Sequence, residues 1–286
     1  MSIVMEDIDI KEAPAPWKCV AQVYAVYFYS SPNSKHAADI PTVAYSPLER
    51  ESFFASPEAG QFAGGVGSLM FVRYSDTPVG QYDEMAIIPG AYTYRVQDEK
   101  GKWVERKNPR VTRIYVSQKQ TLFNGRFNWN IPKHLARFEW TDLANGAQQV
   151  KVFPFDGDQD EASASLTPLV QASFKTVPYV PALPLSTKWI EYFGVNTALV
   201  QPPVPQGKPR EVVGTEQWCK CPLGQYSSKT HIGWFDLRQR DEAGNLTALF
   251  ENFWPGLGRW QLGVRMDDTA FDLPEGEYWR VPRANL

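Results

Sequence analysis

Runs rich in Val, Tyr, Phe and Ile, several alternating with polar residues, recur along the chain between glycine, proline and asparagine punctuation, and such runs read as strands. They are predicted over 17–29, 68–76, 82–98, 110–117, 135–141, 148–155, 169–177, 229–238, 246–254 and 260–267. Pro89-Gly90 must bend or bulge the run that contains it, because proline cannot donate to a ladder. Positions 99–102 make a hairpin tip, and Asn145-Gly146 is a strong hairpin signal. Helix signals are few and short. Ser46-Pro47 opens one, and Ser117 with Gln120 three residues on opens a second that Gly125 closes. A third covers 185–193 and stops at Gly194. Positions 60–67 read as a flexible glycine-rich loop, not a phosphate cradle, since no Lys-Ser/Thr follows. Residues 1–16, ending in Ala-Pro-Ala-Pro, read as a loose arm, 156–161 as an acidic loop, and 178–184 and 201–209 as rigid proline-rich connections. Many strands with few helices predict a mainly β, single-domain antiparallel barrel or sandwich over 17–286.

Composition narrows the function classes. In 286 residues, 43% are hydrophobic and 14% aromatic, enough for a packed core, and the net charge is −3. With both signs interspersed and no basic run, neither nucleic acid nor an anionic membrane surface is an expected partner. No signal-peptide pattern and no run of 18 apolar residues occurs, so a cytoplasmic protein is expected. Cys19, Cys219 and Cys221 are too few for a disulfide framework and, with only His36, His134 and His231, do not make metal-ligand spacing. Reduced, partly buried thiols are expected.

The candidate chemistry lies in 126–137, where Lys133 follows a proline among apolar and aromatic residues. Desolvation disfavours a lysine's charged form, so burial among Trp129, Ile131 and Leu135 would favour the neutral amine. A neutral amine attacks a ketone to form a Schiff base, an electron sink for breaking a neighbouring carbon–carbon bond.

Gly125-Arg126, then Ile131-Pro132-Lys133-His134-Leu135, resembles the Gly-Arg … Tyr-Pro-Lys-Lys-Leu segment of acetoacetate decarboxylases. Upstream, Gly80-Gln-Tyr-Asp-Glu84 followed by Ile88-Pro89 resembles that family's Gly-x-Tyr-x-Glu … Pro segment. The resemblance covers about 68–139. It implies a closed barrel of the acetoacetate decarboxylase type, with the site enclosed in the barrel's interior, no cofactor and a homo-oligomeric assembly.

The resemblance also implies roles. Lys133 takes the place of the Schiff-base lysine, and His134 that of a second lysine that assists it, although a neutral histidine supplies less positive field. Glu84 matches a pocket glutamate able to move protons. Tyr82 shares its strand face and could hydrogen-bond substrate. Arg126 could hold a substrate carboxylate or fix a loop through an acidic partner. Trp129 would line the pocket. Leu69 falls where the family has a second glutamate, and Lys18 is the sole cation in 17–29, where the family has an arginine. Arg113 or Arg73 could substitute as carboxylate holder. The aromatic blocks 233–238 and 252–255 could line a pocket or pack in the core, and Asp236 and Arg238, on one strand face, could pair. A lyase-type enzyme acting on a β-keto acid or a larger polyketide-like ketone follows, by decarboxylation or by related aldol, dehydration or cyclisation steps. The alternative is a barrel that binds an apolar small molecule non-covalently, with Lys133 a relic.

Overall fold

A computed structural model describes residues 10–31, 40, 42–155, 165–192, 196–241, 243–246, 254 and 256–281. The strands in order are β1 (Trp17–Ser30), β2 (Gln61–Asp76), β3 (Tyr82–Ile88), β4 (Ala91–Gln97), β5 (Trp103–Pro109), β6 (Arg113–Val116), β7 (Lys133–Asp142) and β8 (Gln148–Pro154). They continue as β9 (Val170–Thr176), β10 (Leu183–Ser186), β11 (Leu199–Gln201), β12 (Trp218–Cys221), β13 (Gly224–Asp236), β14 (Trp260–Leu273) and β15 (Glu277–Trp279). Three α-helices intervene: α1 (Pro47–Arg50), α2 (Lys119–Trp129) and α3 (Thr187–Tyr192). The acidic loop expected at 156–161, Gly194 and nearly all of the strand expected over 246–254 lie outside the described residues.

The order β1-β14-β13-β9-β8-β7-β6-β3-β2 closes because β2 also pairs with β1, giving a mainly β barrel. The β4–β5 hairpin extends from β2, β10 pairs with β13, and β11, β12 and β15 form a separate small sheet. One seam departs from the expected antiparallel pattern: β6 and β7 run parallel, Ile114 opposite Lys133. Parallel neighbours need a crossover, and α2 is that crossover.

Other differences have local causes. The glycine-rich stretch is the first part of β2, and Gly64 and Gly65 take positive φ (69° and 107°) where its pairing with β4 shifts register. A bulge of this kind keeps a strand while bending it. The return strand of the 99–102 hairpin starts at Trp103, ahead of the expected Arg110, because its charged residues face solvent on an exposed hairpin. Helix α2 continues through Gly125 to Trp129 and ends at Asn130, in the left-handed region at φ 55°. Its N-cap is Gln118, whose side chain accepts from the Thr121 amide, while the Ser117 hydroxyl accepts from the Asp83 amide. The described end of the N-terminal segment is held down: Ala13 N donates to Asn124 Oδ1, and Ala13 O accepts from Asn128 Nδ2 and Trp17 Nε1. Among the described residues, no helix is long and apolar enough to cross a membrane.

The two faces of the barrel wall bury different clusters. Tyr24 of β1 meets Trp140 of β7 and Phe174 of β9 with ring centroids 5.5 and 5.6 Å apart. These strands lie on opposite sides of the barrel, so this face, with Leu69, Phe71, Met85, Tyr115 and Val152, is the interior. The opposite face of β1, β2, β3, β6 and β14 buries Ala21, Val72, Tyr82, Val116 and Met266 beneath Leu122 and Trp129 of α2 and Cys219 of the small sheet. Successive strand residues alternate between the faces.

Candidate active site

Lys133 is the first residue of β7 and points to the face beneath α2, as its neighbours Ile131 and Leu135 do. His134, one residue on, points inward beside Tyr115. The amine therefore lies between the barrel wall and α2. The expectation of a site in the barrel's interior is corrected by strand alternation. Gly125 of α2 passes directly over the lysine stem: a β-carbon there would stand 2.7 and 2.8 Å from Lys133 Cδ and Cε.

The ammonium end is buried among polar partners, with Lys133 5% and Glu84 7% exposed. Lys133 Nζ lies 2.8 Å from Glu84 Oε2 and donates to Thr121 Oγ1 at 2.9 Å. It also reaches Tyr82 OH at 3.5 Å and stands 5.0 Å from that ring's centroid. Tyr74 OH donates to the other Glu84 oxygen at 3.4 Å, and the Tyr74 and Tyr82 rings stack at 4.4 Å. Burial, and then the Glu84 carboxylate, push both phenols well above their ordinary value, so they remain protonated. Burial also pushes the Cys19 thiol, which feels both Lys133 and Glu84, up to about 12. The cluster thus holds one amine, one carboxylate and two neutral phenols in a low-dielectric layer, where hydrogen bonds between neighbours strengthen one another.

A cleft of about 770 Å³ opens at the strand ends beside this cluster, lined among others by Gln22, Arg73, Asp83, Arg265 and Asp267. Tyr74 and Tyr82 belong to its lining, whereas Lys133 and Glu84 do not. The stacked tyrosines therefore separate the cleft from the amine. Its polar groups brace one another: Asp267 accepts from Gln22 Nε2 at 2.8 Å and pairs with Arg265 and His231.

Of the residues singled out in the sequence, the structure brings Lys133, Glu84 and Tyr82 together. The others sit elsewhere. His134 Nε2 lies 2.6 Å from Glu49 Oε2, a fully buried carboxylate on α1. Arg126 Nη1 donates to Glu49 Oε1 at 3.0 Å and to the Lys133 carbonyl at 3.3 Å, and Nε to Val213 O at 2.8 Å. Arg126 is wholly buried with all three nitrogens bonded, which corrects its placement as a substrate carboxylate holder: it fixes loops. Trp129 is core, edge-on to Trp17 at 5.1 Å with its indole N–H on Pro274 O. Leu69 faces the interior, across the wall from Lys133. Arg113 is held on the interior side, donating to Tyr115 OH and Val43 O. Arg73, not Arg113, reaches the cleft, 3.6 Å from Asp83. Asp236 pairs with Arg259 at 2.9 Å, the partner expected being Arg238.

Thr121, Tyr74 and Glu49 were not anticipated. Tyr74 stands opposite Tyr82 in the β2–β3 register, and that pairing was its one accessible signal. Thr121 and Glu49 reach their partners only through the packing of α2 and α1. Cys19, Cys219 and Cys221 are free and buried. Among the described residues no group of three His, Cys, Asp or Glu side chains is placed to hold a metal.

Comparison with known proteins agrees with the architecture. No family profile and no curated protein matches the chain. Among solved structures, the chain is similar to acetoacetate decarboxylase from Legionella pneumophila, at 13% identity and TM-score 0.54, covering 99% of this chain and 95% of that one. It is also similar to a second acetoacetate decarboxylase structure, at 11% identity and TM-score 0.54, covering 96% and 93% of the two chains. The chain thus has the acetoacetate decarboxylase-type fold along nearly its whole length.

Proposed function

We propose that this protein is a Schiff-base enzyme of the lyase type, acting on a ketone-bearing substrate, a β-keto acid or a larger polyketide-like ketone, through Lys133. The observation that carries this reading is the buried Lys133 amine with a carboxylate at 2.8 Å and a hydroxyl at 2.9 Å, inside a fold shared with acetoacetate decarboxylases. Attack on a carbonyl needs the amine free of its extra proton, and Glu84 is in hydrogen-bond reach to take it. The same carboxyl, then protonated, returns that proton as water leaves the carbinolamine. The resulting iminium accepts the electron pair of the breaking carbon–carbon bond, and the enamine is then protonated at carbon. Thr121 and Tyr82 orient the nitrogen. Substrate approaches from the mouth cleft, with the Tyr74–Tyr82 pair moving aside and Arg73 available to a carboxylate.

The test is reduction with borohydride in the presence of a panel of ketones and β-keto acids, followed by peptide mass mapping. The expected result is a reduced adduct on Lys133 that Lys133→Arg lacks and that forms more slowly in Glu84→Gln. A panel that leaves Lys133 unmodified in folded protein would sink the proposal and favour non-covalent binding.

A further inference from the structure

Away from the lysine cluster, a second buried cation sits in an unusual setting. Arg110, just before β6, is 1% exposed. Its Nη2 donates to the Ala59 carbonyl, but Nε and Nη1 have no hydrogen-bond partner. Aromatic rings crowd the guanidinium: its carbon is 4.2 Å from the Tyr92 ring centroid, 5.7 Å from that of Trp218 and 5.9 Å from that of Phe54. Rings of this kind attract a cation but do not accept in-plane N–H bonds. Among the described residues no carboxylate pairs with it, and the titratable neighbours it feels are Tyr92, Tyr45 and Tyr94. Burial raises all three phenols, so none supplies a negative charge.

The segments that wall in Arg110 carry further orphans. The Ser46 hydroxyl, next to Tyr45, and the Thr112 hydroxyl are buried without partners, whereas the Ser56 hydroxyl is held by the Glu58 carboxylate. Both unpartnered hydroxyls can donate. An uncompensated buried guanidinium is strongly destabilising, and buried donors are normally satisfied. What the region lacks is one compact, negatively charged acceptor.

We propose that Arg110 is the centre of a buried binding site for a small monovalent anion, a halide or a short carboxylate. The anion would accept from Nε or Nη1 and be screened from solvent by Tyr92, Trp218 and Phe54. Thermal melts test it at constant ionic strength, with sodium isethionate, whose anion is bulky, replaced stepwise by sodium chloride or sodium formate. The expected result is a saturable rise in Tm, about 5 °C at a hundred-fold excess over Kd, absent in Arg110→Met. Chloride active alone or with formate marks a halide site, and formate active alone marks a carboxylate site. Should Arg110→Met not fold, crystals of the wild-type protein soaked in the anion that raises Tm must show it in contact with Arg110, bromide by its anomalous peak for a halide site and formate by its density for a carboxylate site. Melts insensitive to both anions overturn the proposal, as does a variant that keeps the wild-type dependence, or density showing only water at Nε and Nη1.

Discussion

Glu49 carries more of the fold than any acid the sequence singled out. It has no exposed surface, and it joins Arg126 on α2 to His134 on β7. Burial alone would raise its carboxyl, but His134 and then Arg126 outweigh that and hold it below the ordinary carboxylate range. Because the folded value is depressed, the stabilisation is fully present above the unfolded value of about 4.3 and is lost as pH falls through the folded value. Urea midpoints measured from about pH 6 down to about pH 3 are therefore expected to fall more steeply in wild type than in Glu49→Gln. At neutral pH that variant leaves Arg126 buried without its counter-charge and is expected to lose about 3–5 kcal/mol. An equal slope in both proteins would show that another carboxylate governs the acid limb. In sequence Glu49 is just an acid in the first turn of a four-residue helix, and nothing local marks it as buried. Lys133 and Glu84 were legible through the resemblance of two short segments, but their 2.8 Å separation is a fact of register.

At the scale of elements, the β6–α2–β7 crossover decides where the amine goes. The capping box and the glycine predicted a helix correctly but ended it too early. Gly125 stays inside α2 because the helix needs a bare backbone where it crosses the lysine stem. In Gly125→Ala the added methyl must push Lys133 Cδ and Cε aside and draw Nζ off Glu84. Misplacing a reacting group by about 1 Å costs on the order of 100-fold in rate, and that is the loss expected in the Lys133 trapping rate. Stability should change little, since alanine gains about 1 kcal/mol of helix propensity against the local displacement. A variant that traps ketone at the wild-type rate would show that the helix does not position the amine.

Across the whole molecule, the small sheet and the barrel are joined by one apolar cluster. Leu199, Cys219 and Cys221 pack with Trp17, Ile114 and Met266. Unfolding in urea is therefore expected as a single transition, tryptophan fluorescence and far-UV circular dichroism coinciding, whereas separated midpoints would mean the small sheet melts independently. Taken alone, the chain's pattern already determined a strand-rich barrel or sandwich, most strand positions and the break at Pro89-Gly90, because alternation and turn chemistry act over a few residues; the closed barrel and the candidacy of Lys133 rested on the two segments that resemble acetoacetate decarboxylases. Only the tertiary structure decided the parallel β6–β7 seam, the face on which Lys133 lies and the burial of Glu49 and Arg110. Those depend on contacts between segments tens of residues apart, where a one-residue change of register moves a side chain to the other side of the wall.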